Sequence, residues 1–152
     1  MDAGIHCIDV MRFLTGDPVH VLEVDSDRHL HKDGIERSAD CCLTAAGVTC
    51  QIEVRSQASY LSTLTISGTE GQIVVDDFAA CWGTAAIRLY ALQSGDMVRV
   101  KDGAIDVSAI YSEQIRNFAE TIRQRCVPGI QDISAAENVR IVEELYLTSE
   151  RS

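Results

Sequence analysis

Hydrophobic positions along the chain change period twice. Between residues 4 and 15, Cys7, Val10, Met11 and Leu14 recur at i, i+3, i+4 and i+7, which predicts a helix with one apolar stripe. Gly16 stands where a left-handed capping residue belongs, and Pro18 stops any continuation. From Val19 the period falls to two. Val19 to Asp25 reads as a strand in which His20 alternates with Leu22 and Val24. Ala39 to Thr44 is a second strand, and Ala46-Gly47 turns it into a third, where Cys50, Ile52 and Val54 alternate with Gln51, Glu53 and Arg55. Ser62 to Ser67 and Gln72 to Asp76 flank Gly68-Thr69-Glu70-Gly71, which predicts a hairpin. Ala86 to Leu92 and Met97 to Val100 follow the same alternation across Ser94-Gly95-Asp96. Helical spacing then returns. Ile115, Phe118, Ala119 and Ile122 mark a helix over residues 111–125, which Pro128-Gly129 breaks. Ser134-Ala135-Ala136-Glu137 is a capping box opening a last helix, with Val139, Val142, Leu145 and Tyr146 as its buried stripe and an end near Ser149.

A helix, six or seven strands on short turns, and two closing helices make an antiparallel sheet. The expected fold is α+β: one domain over 1–152, a two-layer sandwich with an open-faced, mainly antiparallel sheet and helices on one face. The other face shows Gln51, Glu53, Arg55, Thr63, Thr65 and Arg88. It is either solvated or packed on a second copy about a two-fold axis, which gives a homodimer or higher homo-oligomer.

Charge narrows the function. Of 152 residues, 13 are Lys or Arg and 23 are Asp or Glu, for a net charge of −10. Such acidity argues against nucleic acid, which needs a concentrated positive surface. No stretch approaches the ~20 apolar residues of a membrane span, and the first residues lack a basic leader, so the expected location is cytoplasmic. The six cysteines then read as thiols in a reducing compartment. No C-x-x-C pair supports structural zinc. No G-x-G-x-x-G follows a strand, and Gly68 to Gly71 turns between strands rather than opening a helix. The chain alone is expected to hold no nucleotide cofactor.

Asp2, His6 and Asp9 lie at i, i+4 and i+7, along one line of the first helix and offset from its apolar stripe. A carboxylate one turn from an imidazole fixes its tautomer and raises its basicity, as a general acid/base histidine requires. From spacing alone the leading reading is a solvated flank with an ordinary ion pair, and Asp9 also has an i, i+3 partner in Arg12. Asp27, His29 and His31 would share a face of an extended strand and could ligate a metal, but an exposed arm beside Asp33-Gly34 accounts for them. Cys7 and His6 point about 100° apart on a helix, so Cys7 counts as core rather than as a nucleophile.

The opening stretch resembles a known signature. D-A-G-I-H-C-I-D-V-M-R-F-L-T-G-D is similar to the D-x-G-x-H-x-x-D-x-x-R-x-L-x-G-D segment of the Gfo/Idh/MocA family of NAD(P)-dependent oxidoreductases, with Asp2, Gly4, His6, Asp9, Arg12, Leu14, Gly16 and Asp17 in register. Ile66 to Gly71 resembles the family's i-x-G-t-x-G hairpin, and Tyr111 through Phe118 to Pro128 a later segment. The resemblance implies the carboxyl-terminal, substrate-binding and oligomerising half of such an enzyme, acting on a sugar, polyol or similar hydroxyl compound. It implies that His6 passes a proton to or from the substrate, that Asp2 orients substrate or imidazole, and that Asp9 borders the substrate. NAD or NADP would belong to the full-length enzyme. The family's nucleotide lobe and E-K-P lysine have no counterpart here; the two lysines, Lys32 and Lys101, sit in other contexts. Met1 abuts Asp2, so the expectation is an excised half that neither binds NAD(P) tightly nor turns over substrate alone. The alternative is a stand-alone dimerisation or ligand-binding module that keeps the fold without catalysis.

Overall fold

The computed structural model describes residues 2–56, 62–79, 82–124 and 133–150. Its elements run α1 (Asp2–Thr15), β1 (His20–Ser26), β2 (Ser38–Ala45), β3 (Val48–Arg55), β4 (Thr63–Ser67), β5 (Gly71–Asp76), β6 (Thr84–Gln93), β7 (Asp96–Asp106), α2 (Ile110–Gln124) and α3 (Ile133–Ser149). The fold is α+β with antiparallel strands, as expected. Among the described residues these form two sheets, β1-β2-β3 and β4-β5-β6-β7, in chain order. They belong to two compact units, residues 1–58 with 128–152, and residues 59–127.

In the first unit, α1 packs on β2, β3 and α3, while α3 packs on β1. Ile8, Val19, Leu43, Ile141 and Leu145 are fully buried between these helices and the sheet. Each side chain of this kind contributes about 1.5–3 kcal/mol by leaving water. The α1 stripe is rotated from the expected one. Gly4, Ile8 and Met11 face the core, Cys7 and Val10 are half-buried, and Leu14 is 54% exposed. α1 has apolar residues on more than one line, so periodicity left the choice open; the sheet takes the line that places Ile8 deepest. Gly16 ends the helix at φ +69°, its amide donating to the Arg12 carbonyl at 2.9 Å.

β1 breaks its alternation. Val21 pairs with Leu43 and Glu23 with Cys42, so Leu22 forms a bulge and is 56% exposed. Val21 and Val24 therefore share the core side, whereas simple alternation put Leu22 with Val24. β2 and β3 pair from Ser38↔Arg55 to Ala45↔Val48 around the Ala46-Gly47 turn, where both residues have positive φ. Ala39, Cys41, Leu43 and Ile52 point to the helices, and Asp40, Gln51 and Glu53 point away.

The stripe of α3 is also rotated. Asn138, Ile141 and Leu145 are buried and Val142 is half-buried, but Val139 is 59% exposed. Polar contacts pin the end of this helix. Ser26 and Ser149 hydroxyls bond at 2.8 Å, and the Tyr146 hydroxyl donates to the Glu36 carboxylate at 3.1 Å. The Arg28 guanidinium lies 4.5 Å from the centre of the Tyr146 ring. The expected Ser134 cap and the Pro128-Gly129 break fall outside the described residues, the former by its side chain.

In the second unit, β4 to β7 form a meander. Gly68 to Gly71 is the predicted two-residue hairpin, closed by the Gly68 amide on the Gly71 carbonyl at 2.9 Å. One face carries Ile66, Ile73, Leu89 and Ile105, and the other Thr65, Gln72, Arg88 and Tyr90. α2 has no buried residue; Ile115, Phe118 and Ile122 on its stripe are exposed.

Two pairs of substitutions test this packing. At Gly71 a Cβ would collide with the Tyr90 carbonyl, while at Gly68 nothing lies nearer than 3.9 Å. Gly71→Ala is expected to cost about 1–3 kcal/mol in urea unfolding, and Gly68→Ala less than about 0.5 kcal/mol; equal effects would contradict the close approach. Ile8→Ala should cost about 2–5 kcal/mol and Leu14→Ala under about 0.5 kcal/mol, the reverse of what the expected stripe requires.

Candidate functional site

α1 carries the residues that the sequence singled out. Its core side is committed to Ile8 and Met11, which leaves His6 and Asp9 on exposed positions. Asp2 opens the same helix, and its side chain lies outside the described residues. Its meeting with His6 is therefore a matter of helical spacing, i to i+4.

Asp9 is held in place. Its Oδ1 accepts a hydrogen bond of 2.7 Å from Nδ2 of Asn138 on α3. The Asn138 Oδ1 in turn accepts one of 2.7 Å from the Arg12 guanidinium. The sequence suggested a direct Asp9–Arg12 pair; the structure sets an amide across both. Asn138 is 5% exposed, so this is a buried polar bridge between two helices with its amide satisfied on both sides. Sequence reasoning missed it. The signal was there: position 138 falls in register with Ile141, Val142 and Leu145, a polar residue on a buried stripe.

The thiols near this helix are not nucleophiles. Burial beneath α1 pushes the Cys7 thiol up, and the neighbouring Cys50 adds to this. Burial also pushes Cys41 up to about 11 and raises Cys50. All three stay protonated at neutral pH and behave as small core residues, as expected for Cys7.

On the far face of the first sheet, away from α1 and α3, an open groove of about 270 Å³ is lined by Glu23, Asp25, Asp40, Cys42, Gln51 and Glu53. Asp25, Asp40 and Glu53 stand directly opposite one another on three strands. Such a row is self-repelling. Arg55 relieves it by binding Asp40 at 2.7 Å. The groove is across the sheet from His6, so it is no part of the same site.

The arm between β1 and β2 is built around Asp27. Its Oδ1 accepts the backbone amides of Arg37 at 2.8 Å and Ser38 at 3.0 Å, and its Oδ2 lies 3.2 Å from His31 Nε2. The Ser38 amide above all, then the Arg37 amide and His31, hold this carboxyl well below the ordinary carboxylate range. The shared face that a metal reading of Asp27, His29 and His31 would need is that of an extended strand; residues 28–30 instead form a short 3-10 turn, which brings Asp27 and His31 together as an i, i+4 pair. The His29 side chain lies outside the described residues, and among the described residues no three potential ligands converge on a metal position. No helix among them is long and apolar enough to cross a membrane.

Residues 1–74 match the family described as GFO/IDH/MocA C-terminal domain. No curated protein matches the sequence. Solved structures share the fold. KijD10, a 3-ketoreductase from Actinomadura kijaniata in complex with NADP and TDP-benzene, superposes with a TM-score of 0.79 at 15% identity, over 97% of this chain and 44% of that one. The protein yvaA of Bacillus subtilis, described as an oxidoreductase, gives 0.77 at 16% identity, over 99% of this chain and 50% of that one. One from Bacteroides fragilis, likewise described, gives 0.70 at 18% identity, over 97% and 50%. The chain thus spans about half the length of the structures it resembles.

Asp27 yields a pH prediction. Its carboxyl is more acidic folded than unfolded, so its contribution is complete above the unfolded value of about 3.9 and is lost as pH falls below that. Asp27→Ala should be less stable than the parent in urea at pH 6, with the gap closing between pH 4 and pH 2. A gap that stays constant over that range would show that the carboxylate charge plays no part.

Proposed function

We propose that this chain, whose residues 1–74 match the GFO/IDH/MocA C-terminal domain family, is the substrate-binding domain of an NAD(P)-dependent oxidoreductase acting on a sugar, polyol or similar hydroxyl compound. The observation that carries the reading is His6. It sits on the motif that defines the resemblance and is exposed on a helix whose other side is the core of its unit. Imidazole is the usual side-chain acid and base near neutral pH. In this proposal His6 accepts the proton of a substrate hydroxyl, or returns it to a carbonyl oxygen in the reverse direction. Asp2, one turn earlier, orients the imidazole or the substrate, and Asp9 borders the bound molecule with its carboxylate steadied by Asn138.

A dinucleotide does not fit the residues described here. A phosphate cradle needs glycines between a strand and the N-terminus of a helix. Gly68 and Gly71 instead close a hairpin between β4 and β5. We therefore place NAD or NADP outside this chain and expect the chain alone to be inactive. KijD10, held with NADP, supports such a cofactor for a complete enzyme.

The same proposal includes a homo-oligomer through a polar sheet face. The row Asp25, Asp40 and Glu53 opposes self-stacking of the first sheet, because two copies would bring like charges together. The polar face of the second sheet is better suited. Its Arg88 is already paired with Asp76 at 2.6 Å, and Thr65, Val74 and Tyr90 share that face beside the pair.

Nuclear magnetic resonance titration of the chain tests the catalytic assignment. Keto-sugars and polyols are expected to perturb the His6 imidazole resonances with millimolar affinity, while NAD and NADP bind no tighter than millimolar. Micromolar nucleotide binding, or sugar binding that leaves His6 unmoved, would overturn it. Light scattering tests the interface. Tyr90→Glu should convert an oligomer to monomer, and a strict monomer in the parent at high concentration would refute the contact.

A further inference from the structure

We propose that Asn138 is a positioning residue for His6: it keys the rotation of α1 against α3 through Asp9 and Arg12. The inference rests on the reading of His6 given above, and its geometry comes from the two hydrogen bonds to one buried amide. The Asn138 Nδ2 donates to Asp9 and its Oδ1 accepts from Arg12, both at 2.7 Å. Asp9 and Arg12 are i, i+3 neighbours on α1, so the amide lies across one turn of that helix. Its orientation is forced. Turned over, it would set an N–H group against the guanidinium and an oxygen against the carboxylate.

The apolar contacts of α1 cannot do this alone. Ile8 and Met11 attach the helix to the core, but apolar burial is not directional. Two short, charge-assisted hydrogen bonds to a single amide are directional. His6 lies one turn before Asp9 and must move with it. A rotation of about 10° displaces the helix surface, about 5–6 Å from its axis, by about 1 Å. Misplacement of about 1 Å at a reacting group can cost about a hundredfold in rate. The amide also comes from the other end of the chain, 129 residues from Asp9. Folding of α3 onto β1 is thus a condition for the final setting of α1.

The test uses the full, isotopically labelled chain and four variants: Asn138→Leu, Asn138→Asp, Asp9→Asn, and the double variant Asp9→Asn with Asn138→Asp. The double exchanges donor and acceptor, so an amide on α1 faces a carboxylate on α3 that still accepts from Arg12. The readouts are the His6 Cε1–H resonance and amide exchange along α1, taken without substrate or cofactor. Each single variant at position 138 should shift the His6 resonance and speed α1 exchange by about tenfold, while β2 and β3 change by less than about twofold. The double variant should bring both readouts back to parental values. An unmoved His6 resonance in the single variants, or no recovery in the double, would overturn the proposal. Should Asn138→Leu fail to fold, the Asn138→Asp single and double variants decide alone. Failure of the acid/base reading would appear separately, as a His6→Asn chain with an unchanged response to sugars.

Discussion

The first unit depends on one constraint: α1 must bury one side in the core while holding a polar side at a fixed angle. Ile8 and Met11 meet the first requirement against β2 and β3, beside Ile141 and Leu145 from α3. The Asn138 bridge meets the second. A buried amide without partners would be strongly destabilising, so these two hydrogen bonds form together with the helix contact or not at all. Packing supplies most of the adhesion, and the polar bridge supplies the register.

From this follows a division of labour across the first sheet. The side under the helices is apolar and contains protonated thiols. The far side is acidic, with Asp25, Asp40 and Glu53 aligned over three strands and partly neutralised by Arg55. The exposed side of α1 faces away from that sheet. It carries the His6 imidazole and the Asp9 carboxylate on a helix anchored to the core. The second unit differs in kind. Its meander shifts register once, between Leu89 and Tyr90, its sheet residues are mostly half-buried or exposed, and α2 has no buried residue.

Much of this was legible in the chain. The period-two runs and their turns located the seven strands among the described residues, because a strand's alternation and its glycine-bearing turns are local properties. Gly16 and the Gly68–Gly71 hairpin were likewise local. The helix faces were not. α1 is apolar along more than one line, and only tertiary packing chose Ile8 over Leu14. Leu22 misled because a bulge is set by the partner strand and not by its own sequence. Asn138 was missed for a different reason: its place on the α3 stripe marks it as a polar residue facing the core, but its partners stand more than 120 residues away and nothing local names them. The candidate site shows the same split. His6 and Asp9 were singled out from spacing and resemblance, whereas what holds Asp9 came only with the fold.

The central claim is that the exposed end of α1, and not the acidic groove, receives the substrate. An experimental structure of the chain soaked with a keto-sugar or polyol tests it most directly. The account predicts a substrate oxygen within hydrogen-bonding reach of the His6 imidazole, about 2.6–3.2 Å, with Asp2 or Asp9 beside it. A ligand seated among Glu23, Asp25 and Glu53, with His6 facing only solvent, would contradict it.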